Sequence, residues 1–368
     1  MPDAIGVTRV TAPNLGLLVV FGAGASYDSI ARVAGADVRE RPPLARQLFA
    51  AAYDKYVQKH LVAGPLVAHL RGLPEGTNLE AELDRIQSEE VPNSPTRRRQ
   101  VIALRYYLRD VLREAAEFET YAPAQTNYHI LMDRLVMWQE KTGAPITLVT
   151  FNYDTMLERA VEVVTGRRLT DLTSYVSDER LRVFKPHGSV NWGRVVANDT
   201  TIRDQAPNPE ATERNLLELA GREDIQLTNE YFVADTSANG KMNGRVIVPA
   251  LTVPIQKKLD FECPPAHIDL LREALRGLKW VLSIGWRAGE QNFLDLWRGS
   301  GTYTQPRFIA GNGRAESGEA VVNALRVAGV RFSETYVVGS FTQLLKDDTL
   351  KLLLEKGFEG PGGRPESG

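Results

Sequence analysis

The sequence predicts an α/β fold, a mostly parallel sheet with helices on both faces. Short and almost wholly apolar runs recur along the chain, as expected of strands buried on both sides. Helical patterns follow several of these runs directly. Small or polar residues gather where the runs end, which is where parallel sheets bind their ligands.

The first run, Leu15 to Phe21, ends in Gly22-Ala23-Gly24-Ala25-Ser26. Glycine adopts backbone angles that other residues avoid and lets the main chain approach another group closely. The turn is therefore either a tight bend or a place where something binds. Its N–H groups and the Ser26 hydroxyl could face a pyrophosphate. Position 27 is Tyr, so the full G-x-G-x-x-G pattern is absent and the loop alone is equivocal.

From about Leu44 to Lys141 no strand pattern appears. Stretches such as Leu79–Ile86 and Val101–Leu108 carry helical periodicity, so residues 44–141 read as an inserted helical subdomain. Tyr106, Tyr107 and Leu112 belong to its core, or alternatively to an oligomer contact. Arg97-Arg98-Arg99 reads as a solvated helix or loop face rather than a nucleic-acid patch.

Strands resume at Ile146 to Phe151, followed by Asn152-Tyr153-Asp154 and a helix over 155–164. Asp154 either caps that helix or accepts a hydrogen bond from a ligand. Capping is the less natural role for Asn152, one residue beyond the run. A strand at 182–184 leads through Lys185-Pro186 to His187-Gly188-Ser189. A lone histidine is often a satisfied structural residue, but a strand end suits chemistry better.

Residues 194–244 are polar and broken by Pro207 and Pro209, which suggests a long excursion with a little helix near Leu216 to Ala220. Strands at 246–248, 280–284, 308–310 and 335–338 follow, with helices at 267–278, 291–297, 319–327 and 341–356. Two of these strands end in Ser283-Ile284-Gly285 and Gly311-Asn312-Gly313. Residues 357–368, rich in glycine and proline, read as a disordered tail.

Composition narrows the class. A net charge of −2 over 368 residues gives no strong sign of direct nucleic-acid binding. The single cysteine, Cys263, rules out an internal disulfide framework and any multi-thiolate zinc site. No apolar run approaches a membrane span and no leader precedes the first strand, so a cytoplasmic location without a membrane role is expected. No tight His/Asp/Glu grouping suggests a metal.

Taken together, Gly22-Ala-Gly-Ala-Ser26, Thr150-Phe-Asn-Tyr-Asp154, His187-Gly188, Ser283-Ile-Gly285 and Asn312 resemble the ordered motifs of the sirtuin family. Phe151-Asn-Tyr-Asp-Thr155 and Lys185-Pro-His-Gly-Ser-Val-Asn-Trp192 look most like the bacterial branch that hydrolyses NAD in anti-phage defence. The resemblance covers roughly residues 14–345. It implies a Rossmann-like NAD-binding domain over 1–43 and 142–356, with NAD as substrate and no metal. It also implies Asn152 and His187 as catalytic residues. Gly22, Ala23, Gly24 and Ser26 would contact the phosphates and ribose, Ser283 and Gly285 the other side of the diphosphate or the adenosine ribose, Asn312 the adenosine end, and Asp154 the carboxamide. The zinc module of the protein deacylases is missing, and Phe151 stands where their glutamine precedes the catalytic asparagine. Water thus becomes the expected acceptor of the ADP-ribosyl group. An NAD hydrolase needs restraint, from self-assembly into a homo-oligomer, from occlusion by the helical insert or from a separate protein, for which the resemblance implies a hexameric DNA-translocase-like ATPase or an Argonaute partner. A non-catalytic subunit sensing NAD or ADP-ribose is the alternative.

Overall fold

The computed structural model describes residues 15–29, 41–117, 126–203, 205–252, 261–346 and 350–351. The expected tail, 357–368, and the far end of the last helix lie outside these residues. Six strands form one parallel sheet: β1 (Gly16–Phe21), β2 (Ile146–Thr150), β3 (Leu181–Phe184), β8 (Leu278–Ile284), β9 (Arg307–Gly311) and β10 (Glu334–Val338). Their order is β10-β9-β8-β1-β2-β3. The chain therefore steps from β1 out to β3 and restarts beside β1 with β8, the doubly wound Rossmann arrangement with its switch point between β1 and β8. Central β1 pairs Val19 with Leu148 on one side and Leu282 on the other, and all six of its residues are buried. That is why its sequence is apolar throughout instead of alternating.

Helices α1 (Ala23–Ser29), α6 (Asn127–Thr142), α7 (Met156–Thr165), α10 (Pro265–Ala274), α11 (Gln291–Gly299), α12 (Ala315–Val327) and α13 (Phe341–Lys346) contribute to the core that covers this sheet. The inserted block supplies α2 (Asp54–Lys59), α3 (Gly64–Arg71), α4 (Leu79–Arg85) and the long α5 (Pro95–Glu117). Helix α6 also falls within residues 44–141, yet its Tyr128, Leu131, Met132 and Leu135 join the core of the parallel sheet and not that of the insert. It starts on a Thr126 side-chain cap and stops at Gly143 in the left-handed conformation.

Residues 194–244, expected as a polar excursion with a little helix, lie within a stretch from 188 to 251 rich in regular structure. It contains β4 (Gly188–Val196), α8 (Thr200–Arg203), α9 (Pro209–Arg222), β5 (Leu227–Val233), β6 (Lys241–Met242) and β7 (Arg245–Leu251). Its strands form a second sheet, β5-β4-β7-β6, and every pairing in it is antiparallel. The run 246–248 thus belongs to this antiparallel sheet and not to the parallel one. Polar sequence concealed β5 because only Tyr231 of its seven residues is buried, the rest being half-buried or exposed, so it lacks the continuous apolar run of a strand covered on both faces.

The insert packs on this second sheet. Leu104, Tyr107 and Leu108 of α5 share a core with Val190, Leu217 and Leu251, while Tyr106 packs with Val196, Val246 and Val248. Tyr106, Tyr107 and Leu112 are therefore core residues. Arg97 is engaged by Glu90 and Gln100, and Arg98 by the Ala220 carbonyl. Among the described residues, no helix is long and apolar enough to cross a membrane.

Candidate active site

Because the large sheet is wholly parallel, the ends of β1, β2, β3, β8 and β9 share one edge, and backbone hydrogen bonds join them. Gly22 N donates to Ile284 O at 3.0 Å, Phe151 N to Phe21 O at 3.0 Å, and Gly285 N to Gly311 O at 3.0 Å. The glycines have a local structural reason. Gly24 N donates to Gly285 O, and a Cβ on Gly285 would fall 2.1 Å from Ala25 N. Gly285 also has φ of +58°, where side chains are strained. Gly22 alone forms the turn; Ala23 and Gly24 are the first residues of α1, with Ala23 exposed.

Asn152 projects into this crossing. Its Nδ2, with two hydrogens to donate, lies within hydrogen-bond distance of Gly22 O (2.9 Å), Ser26 Oγ (2.8 Å) and Tyr128 OH (3.1 Å). Ser26 Oγ donates in turn to Asp154 Oδ2 at 2.7 Å and lies 3.0 Å from Tyr128 OH. Asp154 Oδ1 accepts the backbone N–H of Met156 at 3.0 Å. The carboxylate therefore stabilises the first turn of α7, the capping role open to it in sequence, and also accepts from Ser26. Ser26, Asn152 and Asp154 are each buried.

His187 packs against the two residues that flank Asn152. Its imidazole lies 4.8 Å from the ring of Phe151 and 6.2 Å from that of Tyr153, the residues flanking Asn152. Phe151 stacks on Trp286 at 5.8 Å, and Trp286 directly follows Gly285. Thr252 N donates to His187 O at 3.0 Å and holds the turn to the end of β7. An aromatic wall of His187, Phe151 and Trp286 thus stands beside the polar cluster of Ser26, Asn152 and Asp154.

The adenosine-side candidates are less engaged. Ser283 sits inside β8 with no exposure, and its Oγ has no hydrogen-bond partner among the described residues. Asn312 Nδ2 donates to Trp286 O at 2.6 Å, while its Oδ1 is buried without a partner among those residues. These two sites do not join the network around Asn152, but through Trp286 Asn312 is tied to the same loop. Among the described residues no group of His, Cys, Asp or Glu side chains is arranged to hold a metal ion.

Sequence reasoning missed Tyr128 and Trp286. Tyr128 lies on α6, far from the motifs along the chain, and its ring packs 5.1 Å from Phe21 with its hydroxyl at the cluster. Its only sequence signal is a tyrosine near the start of an amphipathic helix, which is unspecific. Trp286 was legible only as the neighbour of Gly285. Compared with known proteins, the chain matches no family model and no curated protein.

Proposed function

We propose that the protein hydrolyses NAD at the bond between nicotinamide and ribose, releasing nicotinamide and ADP-ribose. The observation that supports this reading is the hydrogen-bonded cluster of Ser26, Asn152 and Asp154 beyond the carboxyl ends of β1 and β2, with the His187 ring against Phe151, the residue before Asn152. Breaking that bond creates an oxocarbenium-like carbon and a neutral leaving group, so positioning matters more than a strong acid. Water adds to the ribose carbon as the carbon–nitrogen bond breaks, and its proton passes to His187. Asn152 holds the ribose hydroxyl or the water without adding charge. Asp154 accepts from the carboxamide, Gly22, Ala23, Gly24 and Ser26 hold the diphosphate and ribose, Ser283 and Gly285 the other side of the diphosphate or the adenosine ribose, and Asn312 the adenosine end. In this reading the protein is a cytoplasmic effector of anti-phage defence, restrained by self-assembly or by an ATPase or Argonaute partner.

A second reading has its own support. Asn152 Nδ2 already serves Gly22, Ser26 and Tyr128, an arrangement suited to a subunit that binds NAD or ADP-ribose without turning it over. One assay separates the two. Purified protein is incubated with NAD, alone and with candidate partners, while nicotinamide and bound nucleotide are followed. The hydrolase reading expects nicotinamide release that falls by about 10²-fold or more in Asn152→Ala and His187→Ala. Nucleotide binding without release would instead establish the sensor.

A further inference from the structure

We propose, building on the hydrolase reading, that Lys185 is a positioning residue that holds the Asn152–Asp154 loop in register with His187. Lys185 lies between the end of β3 and the His187 turn, and its side chain has no exposure. Its ammonium donates to the backbone carbonyl of Asp154 and to Glu158 Oε1, the latter at 2.7 Å. Glu158 Oε1 also accepts from Tyr175 OH at 3.2 Å, and Tyr175 OH accepts from Trp192 Nε1 at 3.3 Å. One buried chain therefore links the loop after β2, the first turn of α7 and strand β4. Backbone bonds continue the clamp, with Val190 N donating to Tyr153 O at 2.9 Å and Gly188 N to Lys185 O at 3.0 Å.

Stability alone does not account for a lysine here. A buried ion pair contributes little net stability, and apolar residues of similar volume often do as well or better. Only a group with several donors satisfies a carboxylate and a main-chain carbonyl together. The carbonyl it holds belongs to Asp154, two residues from Asn152, and its own backbone leads in two residues to His187. A shift of a fraction of an ångström between those segments would separate the two catalytic groups.

The test uses the full chain carrying Lys185→Met with Glu158→Gln, which removes both charges together and leaves Tyr175 an acceptor. Leu325→Ala, on the buried face of α12, serves as a control for general loss of stability. We expect the double variant to stay folded, with kcat for nicotinamide release down about tenfold or more and KM for NAD within about twofold. The control should keep its kcat. A folded double variant with wild-type kcat, or a control losing kcat equally, overturns the proposal. Wild-type protein that releases no nicotinamide instead removes the hydrolase reading. The positioning claim is then decided by hydrogen exchange, which should quicken at the amides of residues 152–156 in the double variant and stay unchanged in β8. Unchanged exchange at residues 152–156 would sink it.

Discussion

At Gly285 two backbones cross so closely that a methyl group has no room. A Cβ there would lie 2.1 Å from Ala25 N and 2.3 Å from the Gly24 carbonyl carbon, on a residue with φ of +58°. Gly285→Ala is expected to lower stability by at least about 1–3 kcal/mol from the left-handed conformation alone, with the clash added, as thermal unfolding would measure. The same crossing explains why the turn after β1 is glycine-rich. Its glycines were plain in the sequence, and so was the choice between a tight bend and a binding loop. That the obstacle is the β8–α11 connection is a fact of packing between residues more than 250 positions apart, which local pattern cannot carry. Asn152 shows the same division. Its place at a strand end followed from the apolar run before it, whereas its bond to Tyr128 depends on how α6 lies on the sheet.

Among the elements, a buried histidine joins the insert to the antiparallel sheet's helix. His60, just after α2, has its Nδ1 2.7 Å from Glu213 of α9 and its Nε2 2.8 Å from Asp110 of α5. Lys59 and Arg109 also bond Asp110, and the Tyr106 ring lies 6.1 Å away. Burial opposes a charge on His60, but hydrogen bonds to Asp110 and Glu213 outweigh it and raise its pKa above 6.5. A raised pKa means that the folded state binds the proton more tightly. Its stabilising contribution is complete below 6.5 and is lost as pH climbs through the raised value. His267 behaves oppositely, because burial lowers its pKa and its contribution is lost as pH falls below 6.5. The comparison is therefore between wild type and His60→Gln. Urea unfolding from about pH 6 to about pH 9 should show wild type losing its advantage over the variant as pH rises. A constant difference would mean that His60 does not carry the proton at this junction.

On the scale of the whole molecule, the parallel sheet is interrupted twice, by the helical insert after β1 and by the antiparallel sheet after β3. The parallel sheet and its helices form the largest core, which Trp192, Tyr231 and Ala250 of the antiparallel sheet also enter, while the insert packs on the antiparallel sheet in two further cores. Leu104, fully buried in α5, packs where insert and antiparallel sheet meet. Leu104→Ala should cost about 2–5 kcal/mol in denaturant unfolding, a loss larger than a freely exposed helical appendage would show.

The sequence by itself determined the seven apolar strands it displayed, the mostly helical character of the insert and the polar residues waiting at the strand ends. Burial on both faces and helical periodicity are written in consecutive residues. Only tertiary structure decided that 188–251 closes into an antiparallel sheet, that α6 and Tyr128 belong with the parallel sheet, and that Lys185 ties two distant motifs together. Strand pairing, helix docking and buried polar bonds join residues far apart along the chain. Their partners are chosen by which surfaces and donors remain unsatisfied once the local elements have formed.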